Sequence, residues 1–154
     1  SASFKSPTMP CQTMVAIPGT AYVLPSHVVE EELERNGDFH ATVSTYSHAL
    51  LLHVLRSTAC NGLHSIEQRG CRWLLTTLDR TDIQKFSITH EFLASLLGVR
   101  RAGVSVLIED LVSDGVLEVS RGTVRVKDRA KLEQKTCECY YVIREQYEKL
   151  KIRP

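Results

Sequence analysis

Two adjacent arginines, Arg100 and Arg101, follow Leu97-Gly98-Val99 and open a stretch whose apolar residues Val104, Leu107, Ile108 and Leu111 are spaced for one buried helix face. A guanidinium is a planar fork of N–H donors, matched to paired acceptors such as a guanine edge or a phosphate. Placed at the exposed start of a helix, such forks can enter a groove and meet base edges. Gly103 and Ser105 are expected on the exposed face of the same helix. Thr89 stands at another helix start, where a hydroxyl and free backbone N–H groups suit a phosphate. Downstream, Ser120, Arg121 and Arg125 lie in SRGTVRV, where a tight hairpin would carry the arginines to a phosphate backbone.

Other reactive side chains promise less. The five cysteines, at 11, 60, 71, 137 and 139, are odd in number and contain no C-x-x-C pair. They suggest neither a disulfide framework nor a zinc site, and reduced thiols are expected. Cys137 and Cys139, two apart on one helix, would point about 200° apart. His48, His53 and His64 fall on a long helix where no carboxylate or cysteine completes a tetrad at ligand spacing, so no metal site is expected. There is no nucleophile elbow and no phosphate-cradling glycine loop, so the chain reads as a non-enzyme.

The elements that must hold the arginines read as follows. Phe86-Ser87-Ile88 is a short strand, Thr89 a cap, and His90–Leu97 a helix ended by Gly98. Arg100 to about 113 is the second helix, stopped by Asp114-Gly115. Val116–Val119 and Thr123–Val126 alternate as two strands of a hairpin. Helix, glycine turn, helix and hairpin is the order of a winged helix-turn-helix.

Upstream, Ser65-Ile66-Glu67-Gln68 forms a capping box for a helix reaching about Leu78. Before it, Asp38 to Leu63 reads as one long helix. Phe39, Val43, Tyr46, Leu50 and Val54 draw a 4-3-4-3 seam along it, as a paired dimerisation helix requires. Residues 62–65 are then a hinge. Ser26 is expected to cap a short helix that Asn36-Gly37 stops. Met14–Ile17 and Ala21–Leu24 read as two short strands about Pro18-Gly19. Asp128 to about Lys151 reads as one closing helix with a stripe of Leu132, Thr136, Cys139/Tyr140, Ile143, Tyr147 and Leu150.

Composition fits a globular chain: 154 residues, 43% hydrophobic and 24% charged. No secretory signal is visible and no apolar run approaches the roughly 20 residues of a membrane helix, so a cytoplasmic protein without membrane contact is expected. The chain lacks an initiator Met and reads as a piece of something longer. Net charge is only +1, but residues 1–66 balance to −2 and residues 67–154 to +3. Five basic residues against one acid in 120–131 make a local basic stripe, which matters more to a nearby phosphate than the total does.

The stretch ITHEFLASLLGVRRAGVSV (88–106) resembles the helix-turn-helix of the Crp/Fnr family, the relatives of the cyclic-AMP receptor protein. SIEQRGCRWLL is similar to that family's preceding helix, and DGVLEVSRGTVRV to its wing. Val15-Ala16-Ile17-Pro18-Gly19 resembles the last strands of its effector β-roll. The resemblance implies a mainly α fold with a small β component. It divides into remnant β-roll strands at 1–25, a short helix and long dimerisation helix at 26–64, and a winged helix-turn-helix with a C-terminal helix at 65–154.

It further implies a homodimeric, sequence-specific regulator of transcription on a two-fold symmetric double-stranded DNA site, with RNA polymerase a candidate further partner. Thr89, Arg100, Arg101, Gly103, Ser105, Ser120 and Arg121 fall where the family touches DNA. Many members carry Glu and a further Arg where this chain has Ala102 and Val106, so their half-site preference does not transfer. The β-roll is almost wholly missing, so no effector is assigned, and no cofactor is expected within these residues. The alternative is a protein-interaction module using the apolar face of Ala102, Gly103 and Val106.

Overall fold

The computed structural model describes Val15 and residues 19–81, 85–120 and 122–150, with the backbone alone at Phe86. Seven helices and three strands occur among the described residues, the mainly α arrangement with a small sheet that the sequence implies.

Helix α1 (Ser26–Glu34) and helix α2 (Asp38–Leu63) are joined through Asn36, in the left-handed region at φ 51°, and Gly37. Ser26 is not the cap expected. Pro25 holds that position at φ −59° and ψ 142°, and its carbonyl accepts from the N–H groups of Val28 and Val29. Proline pre-sets the backbone angle for entry, so the helix starts one residue early. The expected strand Ala21–Leu24 is absent. The segment has no regular structure, and Tyr22 and Val23 are exposed. A strand needs a sheet to join, and the described residues offer none here. Of the companion strand, all but Val15 lies outside the described residues.

Helix α3 (Ile66–Asp79) opens on the expected capping box: Ser65 Oγ accepts from Gln68 N–H at 3.2 Å, and Gln68 Oε1 accepts from Ser65 N–H at 3.0 Å. Ser65→Ala should cost about 1 kcal/mol in urea denaturation, the usual loss for an N-cap hydroxyl. An unchanged midpoint would mean that the box contributes nothing.

Strand β1 (Lys85–Ser87), helix α4 (His90–Leu97), helix α5 (Arg101–Ser113) and strands β2 (Leu117–Ser120) and β3 (Thr123–Val126) follow. The sheet is antiparallel in the order β1-β3-β2, with Ser120 opposite Thr123 across the hairpin. Helices α3, α4 and α5 and the sheet enclose one core, with Leu74, Leu75, Leu93, Val104, Leu111, Val116 and Val124 all buried. Gly70 brings α3 against α5: a Cβ there would stand 2.5 Å from Leu107 Cδ2.

The expected single closing helix is two, α6 (Arg129–Lys135) and α7 (Glu138–Lys149). Thr136 and Cys137 are extended, at ψ 171° and 165°. The apolar stripe runs across this break because both helices cover the same protein. Leu132 and Tyr140 join the main core, while Ile143 and Tyr147 pack with Ala49 of α2. Arg129 on α6 donates to Asp79 at 2.7 Å and to the Tyr140 hydroxyl at 2.7 Å, and that hydroxyl donates to Asp79 Oδ2 at 2.9 Å. One network therefore ties α3, α6 and α7.

His53 shares a hydrogen bond of 3.3 Å with the Tyr147 hydroxyl in the seam between α2 and α7. Burial, then the charges of Arg80 and Arg72, lower its pKa from 6.5 to about 4. The folded protein therefore keeps this imidazole neutral, while the unfolded chain takes up a proton below about pH 6.5. Its contribution to stability is present above that pH and declines as pH falls towards 4. Because the ring is partly exposed, screening reduces the effect to about 1–2 kcal/mol. Denaturation midpoints at pH 7 and pH 4.5 should differ less in His53→Gln than in the parent, and equal differences would remove His53 from the account.

Candidate nucleic-acid interface

The α4–turn–α5 unit is built by local rules. Thr89 caps α4, its Oγ1 accepting from Phe92 N–H at 3.1 Å. Gly98 ends α4 in the left-handed conformation at φ 62° and ψ 39°, and Val99 N–H closes back on the Ala94 carbonyl at 3.0 Å. This turn requires glycine, since a side chain at positive φ meets the following carbonyl. Arg69 of α3 steadies the same turn. Its guanidinium is buried and donates to the carbonyl of Leu97 at 3.1 Å.

Arg100 is the N-cap of α5, in extended conformation with no capping hydrogen bond from its side chain, and Arg101 is the first helical residue. Both are exposed. Ala102, Val106, Glu109 and Asp110 are also exposed, while Val104, Leu107, Ile108 and Leu111 face the core. The helix start thus presents two guanidinium groups and small side chains to solvent.

Two residues expected on that open face are only half exposed. Gly103 is half-buried, and a Cβ on it would meet Ile66 Cδ1 at 3.3 Å, so it is a packing glycine between α5 and α3. Ser105 is half-buried too. Its hydroxyl donates to the Arg101 carbonyl at 3.3 Å and lies 3.0 Å from His90 Nδ1. Sequence spacing alone did not reveal that α3 and α4 would cover these positions.

In the wing, Ser120 is exposed at the end of β2 and Arg125 is exposed on β3, 3.9 Å from the Glu118 carboxylate on the neighbouring strand. Arg121 lies outside the described residues. Gly122, at φ 77°, completes the two-residue turn.

On α2, Phe39 and Val43 are half-buried, while Tyr46, Leu50 and Val54 are exposed. Leu51 is bare as well, at 56% exposure, while Leu55, at 58%, borders a cavity shared with Ala49, His53, Ile143 and Tyr147. Ala49 and Cys60 are the buried residues of this helix.

A second constellation was missed by sequence reasoning. Cys60, His64, Cys137 and Cys139 come together where α2 ends and α7 begins, with their ligand atoms all within 4.8 Å of one another. The opposed-direction argument for Cys137 and Cys139 fails because Cys137 is an extended N-cap residue, not a helical one. Burial, then the neighbouring thiols, push the Cys139 thiol up to about 12, and burial raises Cys137 as well. The available signal was Cys60 and His64 at i and i+4, which share a helix face.

Residues 68–135 match the Crp-like helix-turn-helix domain family. No curated protein matches the chain. Among solved structures, the chain is similar to a transcriptional regulator of the CRP family from Thermus thermophilus. Their identity is 25% and the TM-score 0.54, over 66% of this chain and 56% of that one. It is also similar in fold to a chain assigned to the Crp/Fnr regulators from Eubacterium rectale, at 20% identity and TM-score 0.54, over 73% of this chain and 52% of the other. The chain therefore spans about half the length of these structures. No helix among the described residues is long and apolar enough to cross a membrane.

Proposed function

We propose that this chain, whose residues 68–135 match the Crp-like helix-turn-helix domain, is a sequence-specific DNA-binding regulator of transcription of the Crp/Fnr family that acts as a homodimer. The observation carrying this reading is the exposed start of α5, where Arg100 and Arg101 stand on a helix whose other face is locked into the core. A helix docked by its N-terminus in the major groove sets such arginines against base edges, and the guanidinium fork favours guanine. Thr89 and the wing residues Ser120, Arg121 and Arg125 are assigned to the phosphate backbone, where contacts position without specifying. Gly103 and Ser105 support the helix and are given no direct contact.

The bare face of α2 supports the dimer. Tyr46, Leu50, Leu51, Val54 and Leu55 are all more than two-fifths exposed in the single chain. Several large apolar side chains left bare along one long helix are the kind of surface that a partner covers. Pairing two copies through it would set two recognition helices on one duplex, with half-sites about 34 Å apart.

Selection from random duplexes tests the reading. A two-fold symmetric motif should be enriched, and a selection that enriches nothing at low salt would overturn it. A second reading, a protein-interaction module, draws on the 56% exposure of Val106 beside Ala102. It predicts that Val106→Glu abolishes capture of a protein partner while no duplex is bound.

A further inference from the structure

Cys60 lies in the last turn of α2 and His64 is its C-cap, while Cys137 is the N-cap of α7 and Cys139 lies in its first turn. We propose that these four side chains bind a single zinc ion through three thiolates and one imidazole, clamping the end of α2 to the start of α7. The site stands on its own geometry and does not depend on the reading of α5.

Two ligand pairs already stand at the spacing of a tetrahedral ion, and all four ligand atoms lie within 4.8 Å of one another. Cys60 Sγ and Cys137 Sγ are 3.6 Å apart, and Cys139 Sγ is 3.7 Å from His64 Nδ1. With Zn–S about 2.3 Å and Zn–N about 2.0–2.1 Å, tetrahedral ligands stand about 3.5–3.8 Å from one another. A disulfide would need sulfurs at about 2.05 Å. A multi-iron cluster interposes several atoms between its thiolates and would hold them further apart. Three sulfurs and a nitrogen select zinc over calcium or magnesium, which take oxygen ligands.

The surroundings fit a closed structural site. The three cysteines are at most 3% exposed. His64 Nε2 lies 3.1 Å from the Glu138 carboxylate, which leaves Nδ1 for the ion. A carboxylate on the outer nitrogen fixes the tautomer and turns the ring, the usual support of a metal-binding histidine. Four protein ligands leave no open position, so the ion would be structural and not catalytic. Uptake converts each thiol to a thiolate and releases its proton to solvent.

The clamp sits at the hinge. The capping box of α3 begins at Ser65, directly after His64. Arg69 reaches back to the Asn61 carbonyl at 3.4 Å and forward to the Leu97 carbonyl at 3.1 Å. Ion binding therefore fixes the angle between the apolar face of α2 and the helix-turn-helix.

The test is a cobalt titration of the full chain, reduced and stripped with a chelator, followed by zinc competition. One Co²⁺ per chain should bind with the intense visible and thiolate charge-transfer absorption of a tetrahedral site, and one Zn²⁺ should displace it. Cys139→Ser should weaken binding at least a hundredfold. Glu138→Gln, at an exposed side chain, should weaken it about tenfold with the helical circular dichroism intact. Cys71→Ser, at a buried thiol outside the cluster, should keep the stoichiometry. A folded parent chain giving only the weak spectrum of octahedral cobalt would overturn the proposal, whatever the variants do. So would tetrahedral binding left unchanged by Cys139→Ser.

Discussion

Arg101→Ala is expected to lower affinity for the selected duplex by about ten- to a hundredfold while leaving binding to a scrambled duplex within about threefold. The asymmetry follows from what a guanidinium does at a helix start. Its bidentate contact to a base edge contributes about 1–3 kcal/mol of discrimination, whereas the loss of one charge from a phosphate-lined surface weakens all sequences alike. Arg101→Lys separates the two effects. It keeps the charge and loses the planar fork, so it should retain non-specific binding and fail to recover the preference. Competition binding at fixed salt measures both ratios. Equal losses on the two duplexes would reassign Arg101 to the phosphate backbone.

Asp79→Ala is expected to destabilise the fold by about 2–3 kcal/mol. The Asp79 carboxylate is only 12% exposed and accepts from Arg129 and from the buried Tyr140 hydroxyl. Removing it leaves the Tyr140 hydroxyl without its acceptor and Arg129 with only Glu133 and the phenol oxygen as partners, and an unpaired buried donor costs more than the bond itself contributed. For a chain of this size the melting temperature should fall by about 5–10 °C. Tyr140→Phe removes the stranded hydroxyl, so the double variant should lose less than the sum of the two single losses. Strict additivity in thermal or urea unfolding would show that the two groups do not act as a pair.

Where local chemistry decides structure, the sequence was readable. Helix α2 falls at Asp38–Leu63 as its seam and the flanking Asn36-Gly37 suggest, and the Ser65/Gln68 box and the Gly98 turn lie where their side chains place them. What failed depends on contacts between distant segments. The break at Thr136 and Cys137 is hidden in an apolar stripe that continues across it, because α6 and α7 both lie on the same body. Gly103 reads as exposed until Ile66 of a different helix is set against it. The cysteine–histidine cluster joins residues more than seventy positions apart, with one partner held by the extended backbone at Cys137. The four-residue spacing of Cys60 and His64 marks only half of such a site. The exposed arginines at the start of α5 were legible for the opposite reason: their placement needs only a cap, a turn and a helix face.

Under the proposed function, the exposed pair of arginines at the start of α5 is held where it can read a duplex. Fluorescence anisotropy of the chain with the selected symmetric duplex and a scrambled one, across a salt series, tests it most directly. Both affinities should fall linearly in logarithmic plots against salt, from counterion release, with the selected duplex bound at least a hundredfold tighter at moderate salt. Equal affinities that salt does not change would contradict it.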